Sequence, residues 1–187
     1  MHEKDKKENV FIEIFKFSFI ALLIVVPIRM YVAQPFIVSG ASMESTFHTG
    51  QYIIVDQLSY RLFQEPERGE VVIFRFPGNP SQFYIKRIIG LPNETVKLNG
   101  KTVTIVNEQN PEGILLTEPY IDELKKRNDF TTTTLGDEEY FVLGDNRRAS
   151  SDSRIWGILP RDLIIGKAFV RLLPVQTVNF LPGEFNY

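Results

Sequence analysis

Two stretches hold residue types that could do nucleophilic chemistry. The first is Val38-Ser39-Gly40-Ala41-Ser42-Met43-Glu44-Ser45-Thr46-Phe47, where the apolar run Pro35-Phe36-Ile37-Val38 breaks into small residues. Glycine lets a backbone turn sharply. A serine just past such a turn can stand exposed on one side, with the large apolar Met43 backing it on the other. A serine hydroxyl is a weak nucleophile until a neighbouring base takes its proton. The histidines are His2 and His48, and His48 reads as a solvated turn residue. A neutral lysine is then the natural candidate, an arrangement with precedent among serine hydrolases.

A free lysine titrates near 10.4, so it serves as a base near pH 8–9 only if burial lowers its pKa by about 2 units, or about 2.7 kcal/mol. Lys86 has the apolar context for that, in Phe83-Tyr84-Ile85-Lys86-Arg87-Ile88-Ile89-Gly90. Side chains alternate along a strand, so Lys86 and Arg87 point to opposite faces, one buried and the other solvated. Lys97, Lys101, Lys125, Lys126 and Lys167 sit among polar neighbours or turns and are weaker candidates. A third stretch, Gly144-Asp145-Asn146-Arg147-Arg148-Ala149-Ser150-Ser151-Asp152-Ser153-Arg154, is a dense polar loop after a strand. Asp152 and Arg154 can form a charge-assisted pair there. Each stretch alone also reads as ordinary structure: a polar turn, a strand with two surface cations, a surface loop.

Composition narrows the chemistry. The chain has no cysteine, which removes disulfides, thiol catalysis and thiolate metal sites. Two distant histidines make a histidine metal site a poor reading, and no cofactor is expected. A net charge of −2 gives no reason to expect nucleic acid as a partner.

The elements that must position these residues come next. Residues 1–15 open with a charged stretch without period and read as a cytoplasmic tail. Residues 16–34 read as a transmembrane anchor. The uncharged centre from Phe17 to Ile28 is shorter than the roughly 20 residues of a bilayer span, so Lys16 and Arg29 sit near the interfaces and snorkel. A cleaved leader is disfavoured, since Ala33 has Tyr31 at −3, where a small residue is wanted. Lys4, Lys6 and Lys7 place the N-terminus in the cytoplasm. Residues 35–187 then form an extracytoplasmic domain rich in β-structure. Strands are expected at Tyr52–Asp56, Glu70–Phe76, Phe83–Leu91, Thr95–Leu98, Lys101–Val106, Glu139–Leu143 and Ile164–Val175. Asn99-Gly100 should be a two-residue hairpin turn. Residues 107–137, rich in Asn, Glu, Pro and Thr, read as an exposed excursion with one short helix at Ile121–Arg127.

The stretches Ser39–Phe47, Arg68–Phe74, Tyr84–Glu94 and Gly144–Arg154 resemble, in the same order, the boxes of bacterial type I signal peptidases, of the Gram-positive form. This resemblance implies a mainly β fold, a coiled antiparallel β-sheet serine protease core with one N-terminal transmembrane helix. It implies Ser42 as nucleophile and Lys86 as general base, with Ser150 orienting the lysine. Asp152 and Arg154 match a supporting ion pair, within the loop that opens at Gly144. Phe36, Val38, Met43, Phe47, Tyr84 and Ile85 match positions lining shallow pockets for small substrate residues. The implied partners are secretory preproteins with small residues at −3 and −1, and the lipid bilayer. Ser45 stands where the family often has proline. Gly40 stands where some relatives have an oxyanion-binding serine, which leaves mainly backbone N–H, chiefly that of Ser42, for that role.

Rival readings meet obstacles. A penicillin-binding enzyme would need S-x-x-K, and no serine here has lysine at +3. A self-cleaving Ser-Lys repressor would need a DNA-binding segment. A catalytically silent, membrane-anchored β-domain that binds partners is the rival from another class.

Overall fold

β-branched and aromatic residues bounded by glycine, proline and asparagine build nearly all of the regular structure beyond residue 32. The structure, a computed structural model, describes residues 2–27 and 32–187, with side chains from residue 10 onward. Helix α1 spans His2–Pro27. Its Val10–Pro27 portion is exposed and, by length and composition, apolar enough to cross a membrane. At 1.5 Å per residue it reaches about 27 Å, close to a hydrocarbon core. The helix extends back through the charged residues read as a tail, because lengthening a formed helix costs far less than nucleating one. Residues 28–31, expected at the end of the anchor, lie outside the described residues, and Ala33 and Gln34 already belong to a strand.

The strands are β1 (Ala33–Ile37), β2 (Tyr52–Asp56), β3 (Val71–Phe76), β4 (Asn79–Gly90), β5 (Thr95–Gly100), β6 (Thr102–Asn107), β7 (Asn110–Leu115), β8 (Asp129–Thr134), β9 (Glu139–Leu143), β10 (Leu159–Pro160), β11 (Ile164–Leu173) and β12 (Asn179–Phe180). The main sheet runs β1-β2-β11-β3-β4-β9-β10, with β12 beside β11, and the second runs β7-β6-β5-β8. Every pairing among the described residues is antiparallel. Register shifts in β3, β4 and β11 bend the main sheet. The mainly β fold with one N-terminal apolar helix is therefore as expected.

Alternation decides which side chains form the core. In β2, Ile53 and Val55 turn inward, while β3 is buried on both faces from Val71 to Phe74. Val96, Leu98, Val103 and Ile105 of the second sheet pack on Ile89, Phe141 and Leu143 of the main sheet.

Two local expectations are corrected. The β5–β6 register pairs Asn99 with Thr102, so the hairpin tip is Gly100-Lys101 rather than Asn99-Gly100. Gly100 takes φ +63, the left-handed conformation that the tip requires. Within residues 107–137, β7 pairs with β6 and β8 pairs with β5. Polar composition hid these strands because both lie on the outside of the second sheet, with exposed residues alternating along β8. The expected short helix shrinks to a 3-10 turn at Glu123–Lys125.

Candidate active site

Strand β1 ends at Ile37, and the chain then folds back on itself. Val38 N–H donates to the Gln51 carbonyl, and Gly50 N–H to the Val38 carbonyl, each at 2.9 Å. Gly40 adopts φ +95, a left-handed conformation that a residue with a Cβ rarely takes. The N–H groups of Thr46 and Phe47 both donate to the Met43 carbonyl at 2.8 Å. This coil turns Met43 and Phe47 into the core and leaves Ser42 facing the groove.

Lys86 comes from β4, where Val72 of β3 lies opposite. Its Nζ lies 2.9 Å from Ser42 Oγ and 2.8 Å from the Ile85 carbonyl oxygen. The Tyr84 ring centroid is 5.2 Å from Nζ. Only 4% of Lys86 is exposed. Burial lowers its pKa from 10.5 to about 8, while the more distant Asp152 and Asp145 carboxylates act in the opposite direction.

The loop after β9 braces the Ser42 backbone. Gly144 N–H donates to Asp152 Oδ2 at 3.0 Å, and Asn146 N–H donates to the Ser42 carbonyl at 3.0 Å. A Cβ on Gly144 would lie 2.2 Å from Ser150 Oγ and 2.5 Å from Ser42 O, so only glycine lets the two segments meet. Arg154 donates from Nε and Nη2 to Asp152, each at 2.7 Å, and from Nη1 to Asp129 Oδ2 of β8 at 2.6 Å. Burial would raise the Asp152 pKa, but Arg154 and the Gly144 N–H outweigh it and hold the carboxyl below its ordinary value. Ser150 is buried beside Asp152, where its hydroxyl helps hold that carboxyl's pKa down, but its Oγ makes no hydrogen bond of normal geometry.

A groove of about 530 Å³ opens over this arrangement. Phe36, Val38, Tyr84 and Ile85 line it beside Ser42 and Lys86. Met43 and Phe47, expected in its wall, do not line it. They lie behind it, 1% and 0% exposed, in a core cluster against which Phe36 and Ile85 pack. His48 is exposed, in keeping with a turn residue.

Sequence reasoning also missed a support. Arg87, expected to be solvated, is 0% exposed. Its Nε and Nη2 donate to Asp145 Oδ1 and Oδ2 at 2.8 and 2.6 Å, and Thr46 Oγ1 donates to Asp145 Oδ2 at 2.5 Å. The sequence signal was present in Asp145 beside Gly144, but nothing local paired it with Arg87.

The family described as signal peptidase, peptidase S26, matches residues 11–173. A probable signal peptidase I-2 of Synechocystis is 36% identical over 186 residues, covering 95% of this chain and 80% of that one. Signal peptidase I T of Bacillus subtilis is 35% identical over 185 residues, covering 93% of this chain and 91% of that one. A crystal structure of a signal peptidase I from Enterococcus faecalis, 31% identical, superposes with a TM-score of 0.47 over 56% of this chain and 97% of that one. Matched from the apolar helix through β11, and similar to such relatives over nearly its whole length, the chain belongs to the signal peptidase family, peptidase S26.

Proposed function

We propose that this chain removes signal peptides from preproteins as a Ser-Lys endopeptidase, with Ser42 as nucleophile and Lys86 as general base. The observation that carries this reading is the 2.9 Å approach of a buried Lys86 Nζ to Ser42 Oγ. With a pKa of about 8, roughly a tenth of Lys86 is neutral at pH 7, against far less than a hundredth for a free lysine.

An extended substrate segment lies in the groove, with small residues at −3 and −1 against Phe36, Val38, Tyr84 and Ile85. Neutral Lys86 takes the Ser42 proton as Oγ attacks the carbonyl carbon. The tetrahedral oxyanion is met by backbone N–H, chiefly that of Ser42. Collapse breaks the C–N bond, the Lys86 ammonium protonates the leaving amine, and an acyl-Ser42 ester remains. Lys86, neutral again, takes a proton from water as the water oxygen attacks the ester carbon. Collapse breaks the C–Oγ bond, the Lys86 ammonium returns the proton to Ser42 Oγ 2.9 Å away, and the acid leaves with serine and neutral lysine restored. Ser150, Asp152 and Arg154 support this site from the loop that begins at Gly144.

The chain is membrane-anchored through α1 in this reading, with the N-terminal end of α1 cytoplasmic, Val10–Pro27 the span and the catalytic domain, from β1 at Ala33 onward, outside. Protease added to intact protoplasts should digest the C-terminal part, and its protection would overturn that orientation. The decisive experiment is cleavage of a labelled preprotein by the detergent-solubilised protein and by Ser42→Ala. Cleavage only by the parent is the expected result. A parent with no activity would favour the catalytically silent β-domain instead.

A further inference from the structure

Residues 181–187 lie beyond the stretch that matches the family, yet they rest on the back of the nucleophile turn. A Cβ on Gly183 would sit 2.4 Å from Thr46 Cγ2 and 3.4 Å from both Phe47 Cε2 and Val71 Cγ2. A Cβ on Gly69 would sit 1.8 Å from the Phe185 carbonyl oxygen. Two glycines thus allow backbone to press on backbone and on the turn. The segment is pinned by its aromatics: Phe185 packs on Tyr120 and Tyr187, with centroids 5.5 and 4.9 Å away. The hydroxyls of Tyr120 and Tyr187 are hydrogen-bonded to each other.

What the segment covers is Arg87. Its Nη1 donates to the Gly69 carbonyl at 2.7 Å and to the Gly183 carbonyl, and Tyr120 stacks 3.9 Å from its guanidinium carbon. The remaining donors, Nε and Nη2, go to Asp145, which also accepts from Thr46. A buried charge pair holds its geometry only while its donors are satisfied and water is kept out. Uncovering Arg87 would put water beside the pair and weaken its grip on Asp145. Two links would then loosen: Thr46 Oγ1 to Asp145, and Asn146 N–H to the Ser42 carbonyl. Arg171 grips the same turn by donating from Nη1 to the Thr46 carbonyl at 2.9 Å, so Thr46 is held from two sides.

We propose that residues 181–187 act as a strap that holds the nucleophile turn in position through Arg87, Asp145 and Thr46, making Gly183, Arg87 and Thr46 positioning residues for cleavage. The proposal rests on the Ser42–Lys86 reading for its effect on turnover, though not for its effect on the turn itself.

The test uses the full detergent-solubilised chain and three variants: Gly183→Ala, Thr46→Val and the double variant. Hydrogen exchange is read on peptides covering residues 41–48 and 144–148, and kcat and KM on a labelled preprotein. The expected result is faster exchange in both peptides, with kcat at least tenfold lower and KM within twofold for each single variant. The double variant should be no worse than the poorer single one, because both act through one path. Unchanged exchange, a loss falling on KM alone, or losses that multiply in the double variant would each overturn the strap. If Gly183→Ala does not fold, Thr46→Val combined with removal of residues 184–187 applies the same criteria. A parent whose activity survives Ser42→Ala refutes the nucleophile assignment instead, and exchange still decides the strap.

Discussion

The N–H of Asn146 donates to the carbonyl oxygen of Ser42 at 3.0 Å, tying the loop after β9 to the backbone of the residue proposed as nucleophile. That approach depends on the bare Cα of Gly144, two residues earlier.

Gly144→Ala should therefore damage both stability and activity. The added methyl would meet the Ser42 carbonyl oxygen at 2.5 Å, and backbone cannot swing aside as a side chain can. A loss of about 1–3 kcal/mol, typical of overpacking, should appear in denaturant unfolding, with cleavage falling at least tenfold. Parental stability and rate would show that the loop has slack.

Lys86→Arg keeps the charge but removes the base, since arginine does not deprotonate at usable pH. Cleavage should fall by at least about 10²–10⁴-fold, the contribution of a general base. Circular dichroism must accompany the assay, because a buried permanent charge strains the core. A folded variant with near-parental rate would rule out Lys86 as the base.

The pH–rate profile should carry the signature of Lys86. With its pKa lowered to about 8 by burial, kcat/KM should fall tenfold per unit as pH drops below that value and level off above it. A limb set near pH 10.5 or near pH 6.5 would implicate another group.

Stability should follow the opposite logic. Lys86 titrates at about 8 when folded, against an ordinary 10.5. Below pH 8 both states hold the proton, and the fold bears the whole cost of burying it, about 3 kcal/mol. Between pH 8 and 10.5 the unfolded chain binds more proton than the folded one, so stability rises with pH, and above that range the cost is gone. Lys86→Met should thus be more stable than the parent at pH 7 and lose that advantage by pH 10.5. Urea titrations at both pH values read the difference, and a pH-independent gap would count against the burial argument.

Ser150→Ala separates a structural hydroxyl from a functional one. Ser150 Oγ is buried beside Asp152 and makes no hydrogen bond of normal geometry, so its loss should change thermal stability by no more than about 1 kcal/mol. If it steadies the Lys86 amine during proton transfer, kcat should still fall about tenfold. A drop in stability with unchanged kcat would make the residue structural.

What the sequence showed of this site, and what it hid, follows from distance along the chain. Lys86 was legible because its neighbours Tyr84, Ile85, Ile88 and Ile89 predict burial by themselves. Ser42 was legible from the small residues around it. Arg87 was not, because alternation along β4 says only that it faces away from Lys86. The cover on that face comes from Tyr120 and Gly183, far along the chain. Met43 was legible as backing for the serine, and it is buried behind the turn; only the resemblance set Met43 and Phe47 at the groove, whereas the coil at 43–47 packs both into the core. The outer strands β7 and β8 were hidden because β8 exposes alternate residues to solvent and β7 exposes most of its residues, so proline, glycine and polar side chains are tolerated there as in loops.

Strand order sets a timetable for biogenesis. The β1–β2 hairpin leads into and out of the Ser42 turn, and the β3–β4 hairpin carries Lys86. Within the main sheet they are joined only through β11, which is inserted between β2 and β3. Until residues 164–173 have been synthesised, no hydrogen-bonded ladder sets one hairpin against the other. The nascent chain thus carries Ser42 and Lys86 early, and in this sheet their hairpins come into register only once β11 has been made and inserted.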